Sequence, residues 1–237
     1  MTILAVLSLA VGSQAQAQAT RSSRPVPAPV IGTMPFEADI QAFELVDAAF
    51  PPPACATLFV GSSSIRFWTG LASDFPDRRV INRGFGGSTI ADTVRYFDRI
   101  VTPYAPRAIV FYAGENDLAA GKSPRQVFRD LQALLRLKRE RLDDTPLWVI
   151  SLKPSPARWA QREDQLAFNA MAAELALNEG DVAYIDVASP MLTPAGTPKN
   201  IFGADRLHMR ASGYRIWTDV IRAALQDVPT PARCRAR

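Results

Sequence analysis

Asp205 and His208 stand three residues apart in DRLHMRASGY, residues 205–214, and His208 is the only histidine among 237 residues. Histidine suits proton transfer near neutral pH because its unperturbed pKa lies there, and a carboxylate one turn away can hold its imidazole in one tautomer. Three other clusters carry groups that such a base could serve. GSSSIRFW, from Gly61, offers hydroxyls at Ser62, Ser63 and Ser64; NRGFGGST, from Asn82, gathers Gly84, Gly86 and Gly87; AGENDL, from Ala113, sets Asn116 behind Gly114. A serine hydroxyl is a weak nucleophile until a base takes its proton. Glycines let backbone N–H groups turn into a cavity. With an asparagine amide, such groups can hold the oxyanion of acyl transfer, and the loss of one donor raises the barrier by about 3 kcal/mol. Taken singly, each cluster has a plain reading: a turn, a structural glycine loop, a helix cap made by Asn116 or Asp117, a chance Asp-x-x-His. Taken together, in this order, they describe acyl transfer to a serine.

These groups need elements to position them. Five segments rich in β-branched and aromatic residues read as strands: 57–61, 79–82, 108–114, 146–152 and 182–187. Their nearly continuous apolar character predicts burial on both faces. Helical patterns separate them at 89–101, 124–142 and 157–180, with a further helix at 36–50 before the first strand and a closing one at 211–225. Alternating strand and helix predicts an α/β fold, a parallel sheet with helices on both sides. Ligands of such sheets bind beyond the carboxyl ends of the strands. The serine, glycine and asparagine clusters follow the first three strands and the Asp-x-x-His loop follows the fifth, so all four converge on one rim.

The four blocks resemble those of the SGNH hydrolases, also called the GDSL esterase and lipase family: FVGSSSIRFW the first, INRGFGGST the second, YAGEND the third and DRLHMRASGY the last, within a stretch from about Leu58 to Leu225. The resemblance implies Ser63 as nucleophile, rather than Ser62 or Ser64, with His208 as base and Asp205 as its acid partner. It implies an oxyanion hole made of the N–H groups of Ser63 and Gly87, with Gly86 the nearest competitor, and of the Asn116 side chain. It also implies a flavodoxin-like three-layer α/β/α sandwich on a five-stranded parallel sheet, and an esterase that works through an acyl-enzyme with no metal or organic cofactor. Ser62 stands where many members carry aspartate, a departure that bears on substrate preference more than on activity.

The substrate is less legible. Small acyl esters or lysophospholipid-like esters are one reading; acetylated polysaccharide, cleaved by the same mechanism, is a second. A catalytically silent envelope-binding protein is a third, against which the complete set of Ser63, Gly87, Asn116, Asp205 and His208 speaks. No long lid interrupts the blocks, which favours a small or exposed acyl group. In the loop KPSPARW after the fourth strand, Lys153, Arg158 and Trp159 either reach a substrate headgroup or merely connect. Phe67 and Trp68 either anchor the first helix in the core or wall an acyl pocket, and the sequence does not choose.

The rest of the chain bounds the setting. An apolar run from Ile3 to Val11, followed by Ala-x-Ala sites, reads as a signal peptide over 1–19, although no Lys or Arg precedes the run. A proline-rich linker over 20–35, a hydrolase domain over 36–228 and a tail over 229–237 complete the organisation. Export to a secreted or periplasmic setting makes a disulfide between Cys55 and Cys234 reasonable, stapling the ends of the domain for at most about 4–5 kcal/mol. Two cysteines and one distant histidine are too few for a standard zinc site. No apolar run spans a bilayer, and no base-reading motif points to nucleic acid. The formal charge is +4, with a pI near 9.3. Much of the basic excess sits on the helix at 124–142, which reads as a solvated face or as a surface for anionic polymers or lipid headgroups. The partner expected is a small-molecule or glycan ester; the oligomeric state is not fixed by the sequence.

Overall fold

The computed structural model describes residues 34–235. The expected signal peptide over 1–19 and nearly all of the expected linker over 20–35 lie outside the described residues. Five parallel strands form one sheet: β1 (Thr57–Gly61), β2 (Val80–Gly84), β3 (Ala108–Tyr112), β4 (Leu147–Ile150) and β5 (Val182–Ile185), in the order β2-β1-β3-β4-β5. Every residue of β1, β3 and β4 is buried, as strands covered by helices on both faces must be. The chain runs from β1 outward to β2 and then returns to β3 on the other side of β1. That reversal opens a crevice at the carboxyl ends of β1 and β3.

Among the described residues eight α-helices accompany the sheet: α1 (Glu37–Ala49), α2 (Ser63–Arg66), α3 (Leu71–Asp74), α4 (Ile90–Ile100), α5 (Glu115–Ala119), α6 (Pro124–Leu142), α7 (Arg162–Asn178) and α8 (Ala211–Ala224). Neighbouring members of the series α1, α4, α6 and α7 pack side by side on one face, while α8 and the turn after β1 cover the other. The second layer is cemented by aromatic rings. Trp68 is 2% exposed and meets Phe59, Phe75, Tyr214 and Trp217 at centroid distances of 5.2–5.9 Å. Capping boxes start α4 at Thr89 and Asp92, and α6 at Ser123 and Gln126.

Three strands end earlier than their apolar runs, each for a local reason. Beyond β3, Gly114 takes φ +125° and opens α5. Beyond β4, Leu152 is held by the Asn169 amide of α7, through bonds of 2.8 and 3.2 Å, rather than by a neighbouring strand. Beyond β5, Asp186 accepts from the N–H groups of Ala188 and Ser189 and begins a turn. Likewise α7 starts at Arg162 rather than at Ala157, because Pro156 opens a 3-10 turn over Pro156–Gln161.

Three cations of the basic helix α6 are answered by carboxylates of other elements. Lys138 is fully buried and donates to Asp181 at 2.6 Å and to the carbonyl of Thr145 at 2.7 Å. Arg139 pairs with Glu179 and Asp181, and Arg141 with Asp98. At the amino end of the sheet Cys55 and Cys234 are joined by a disulfide across 179 residues. The tail is tied there as well, with the Ala232 N–H donating to Asp144 at 3.1 Å. No helix among the described residues is long and apolar enough to cross a membrane.

Candidate active site

The serine turn is built by Gly61. Its φ is +141°, and a Cβ there would lie 1.9 Å from the carbonyl oxygen of Tyr112, so only glycine lets β1 turn so closely against β3. The Ser62 N–H then bonds the Tyr112 carbonyl at 2.9 Å, and Ser63 becomes the first residue of α2. Two clamps hold this short helix. The Tyr214 hydroxyl from α8 donates to the Ser64 carbonyl at 3.0 Å, and the Asn82 amide donates to the Ile65 carbonyl at 2.7 Å. Ser62 and Ser64 are buried. Ser63 is the one that faces the rim, with its Oγ 2.9 Å from His208 Nε2.

Behind His208 stands Asp205, Oδ2 to Nδ1 at 2.6 Å. Its other oxygen accepts from the N–H groups of Leu207 and His208, each at 3.0 Å. The carboxylate thus places the imidazole proton on Nδ1 and leaves Nε2 to accept from Ser63. Arg206 sits between the two with φ +58°, a left-handed turn that lets the carboxylate reach back to the imidazole. The loop is pinned on both sides. Gly203 N–H donates to the His208 carbonyl at 2.7 Å, and Ala157, from the turn after β4, donates to the Arg206 carbonyl at 3.0 Å.

The bonds from Leu207, then those from the His208 side chain and backbone, hold the Asp205 carboxyl below its ordinary 3.8, at about 2. A lowered folded-state pKa means that ionised Asp205 favours the folded chain above about pH 4, and that this contribution is lost as pH falls through about 2. Asp205→Asn should therefore lower Tm at pH 6 and converge on the wild type between pH 4 and pH 2. The side chain is 50% exposed, so solvent screening keeps the effect within about 1 kcal/mol. Thermal melts across that range check this; a Tm difference constant with pH contradicts it.

The glycine and asparagine clusters meet beside the serine turn. Asn116 Nδ2 donates one hydrogen to the Ser88 carbonyl at 3.0 Å, leaving its second hydrogen available. Ser88 in turn bonds the Phe85 carbonyl at 2.9 Å, and Phe85 N–H bonds the carbonyl of Gly61 at 2.9 Å. Gly87 lies exposed between these ties with φ +82°. Among the described residues no acceptor takes the N–H of Ser63, Gly86 or Gly87. Asp117 does act as a cap, one of the plain readings of its block. It accepts from the Ile90 N–H of α4 at 3.1 Å and from Lys122 at 2.9 Å. Burial nevertheless holds its carboxyl above the usual value.

Two features were not readable from residue types. Lys153, expected either to reach a substrate headgroup or merely to connect, is 1% exposed and bonds the Glu115 carboxylate, itself 6% exposed, beneath the rim. The Tyr112 hydroxyl joins them, donating to Glu115 and lying 3.3 Å from Lys153 Nζ; burial and the Glu115 charge push its pKa well up. Glu115 precedes Asn116, so this pair anchors the start of α5. Arg158 and Trp159 stay on the surface side of the same loop, partly exposed. The second feature separates Phe67 from Trp68. Trp68 is core, whereas Phe67 is 46% exposed and stands edge-on to His208, ring centroids 4.8 Å apart.

A model of the GDSL-like Lipase/Acylhydrolase family matches residues 58–216. No curated protein matches the sequence. Solved structures do. One from Streptococcus pneumonia, provisionally described as a platelet activating factor, shares 20% identity over 79% of this chain and 91% of its own, with a TM-score of 0.70. A Bacteroides fragilis protein, provisionally described as an acylhydrolase, shares 20% over 79% and 96%, with a TM-score of 0.69. A GDSL-like lipase from Bacteroides thetaiotaomicron shares 20% over 79% and 97%, with a TM-score of 0.67. At these identities the likeness to the solved structures concerns the fold.

Proposed function

Because the chain belongs to the GDSL-like lipase/acylhydrolase family, a family of hydrolytic esterases, we propose that it is an exported serine hydrolase that cleaves small acyl or lysophospholipid-like esters through an acyl-enzyme. The observation that carries this reading is the unbroken chain of contacts from Asp205 through His208 to Ser63. Ser63 Oγ attacks the ester carbonyl while His208 Nε2 takes its proton. The N–H groups of Ser63 and Gly87 and the free hydrogen of Asn116 receive the oxyanion. His208 then protonates the alcohol as the C–O bond breaks, and a water repeats the sequence to release the acid and restore Ser63. Export is supported by the Cys55–Cys234 disulfide, a bond suited to oxidising compartments, together with the leader pattern in the sequence.

The rim is open: Phe67 is half exposed, and the His208 side chain is 28% exposed. That favours short acyl groups and leaves room for an acetylated sugar. The test is hydrolysis of nitrophenyl acetate, butyrate and laurate beside acetylated oligosaccharides. Turnover is expected on the acetate and butyrate and to fall by about tenfold or more on the laurate, whose long chain would lie in water at the open rim. A kcat/KM on acetylated oligosaccharides well above that on the short esters would replace this reading with O-deacetylation. Absence of turnover on every ester would overturn it.

A further inference from the structure

We propose that the cavity beside the catalytic loop is a subsite for a phosphate-type anion carried on the alcohol part of the ester; this rests on the hydrolase reading above. The cavity is about 360 Å³, and its wall includes Lys199, Asn200, Gly203, Ala204, Arg206 and Arg210, with no aspartate or glutamate. Its size suits a phosphate with a glycerol or sugar attached, at the small end of ligand pockets. Among the described residues the side chains of Arg206 and Arg210 have no hydrogen-bonding or ionic partner, and Lys199 Nζ donates only to the Pro190 carbonyl at 2.8 Å. The carboxylate nearest in sequence, Asp205, is engaged by His208 and the loop amides.

Several cations elsewhere are answered by carboxylates or carbonyls. Those of α6 named above face carboxylates. In the larger cavity of about 710 Å³ at the amino end of the sheet, Arg78 pairs with Asp77 at 3.0 Å and Arg107 bonds the Val228 carbonyl at 3.2 Å. Among the described residues none of the three cations of the subsite is ion-paired, and an anion in the cavity would answer them. The backbone that carries them is fixed before any ligand arrives. Lys199 N–H bonds the Met191 carbonyl at 2.9 Å, Arg210 N–H the Ile201 carbonyl at 2.8 Å and Arg206 N–H the Gly203 carbonyl at 3.0 Å.

Location assigns the anion to the alcohol side. Gly203, Ala204 and Arg206 bracket Asp205, and one imidazole with two hydrogen bonds separates Asp205 from Ser63. His208 is the group that hands a proton to the departing alcohol, so that part of the ester lies toward the loop bearing the cations. The acyl part lies on the other side, where no such charge is needed.

The experiment compares 1-butyrylglycerol with 1-butyrylglycerol 3-phosphate on the full chain, as wild type and as the Lys199→Gln/Arg210→Gln double variant, with inorganic phosphate as a separate probe. Wild type is expected to prefer the phosphorylated ester by about tenfold in kcat/KM at low salt, with the preference shrinking as salt rises. The double variant is expected to lose that preference while keeping its Tm without phosphate and its rate on 1-butyrylglycerol. Equal wild-type rates on the two esters would overturn the proposal. So would a wild-type Tm raised by inorganic phosphate with no preference for the phosphorylated ester, since the cavity would then hold a free anion only. If neither ester turned over, the hydrolase reading would fail. The subsite would then be judged by binding of 1-butyrylglycerol 3-phosphate over 1-butyrylglycerol in calorimetry, and binding unaffected by the double variant would overturn it.

Discussion

Ser63→Ala is expected to lower kcat on nitrophenyl butyrate by about 10⁴- to 10⁶-fold while KM changes little, because the hydroxyl acts in the chemical step and not in holding the substrate. What remains should be the small acceleration due to oxyanion donors and binding alone. Ser62→Ala and Ser64→Ala provide the contrast. Both side chains are buried behind the turn, and neither oxygen meets His208, so these variants should keep activity within about tenfold, the loss expected when a contact away from the reacting atoms is removed. Steady-state kinetics of the three variants decide the matter. A Ser63→Ala rate close to wild type, or a comparable collapse in Ser62→Ala, would remove Ser63 from the mechanism.

Lys153→Met is expected to destabilise the fold by about 3–5 kcal/mol, since it strips the partner from a carboxylate that cannot reach water. Glu115 is 6% exposed and would keep only the Tyr112 hydroxyl. Adding Glu115→Gln removes the orphaned charge, so the double variant should recover most of the loss. Urea unfolding of the two variants and wild type checks this. A Lys153→Met protein within about 1 kcal/mol of wild type would mean that the pair is not the ionic lock its burial indicates. Because Glu115 immediately precedes Asn116, the single variant should also lose turnover in the fraction that remains folded.

The sheet was legible because strands buried on both faces are written in unbroken apolar runs such as TLFVG and AIVFY. The four chemical clusters follow the ends of those strands, where a parallel sheet gathers its ligands. The contacts from Ser63 to His208 and Asp205, and from Asn116 to the glycine loop, follow from that placement. Other features depend on partners that are remote in sequence. Whether Lys153 points into water or into the protein turns on Glu115, which lies 38 residues earlier. Phe67 and Trp68 are adjacent and chemically alike. They part because Trp68 finds an aromatic nest from β1, the α3 segment and α8, while Phe67, one position earlier, is turned to His208. The uncompensated character of Arg206 and Arg210 was equally hidden, since only a folded chain reveals which cations lack a carboxylate.

The central claim is that Ser63 is a nucleophile activated by His208, and the most direct test is covalent capture. Wild-type protein treated with a fluorophosphonate is predicted to gain the mass of one phosphonyl group, mapped by peptide sequencing to Ser63, with labelling abolished in Ser63→Ala and slowed strongly in His208→Ala. A folded wild-type protein that takes up no label, or takes it up at another serine, would contradict the account.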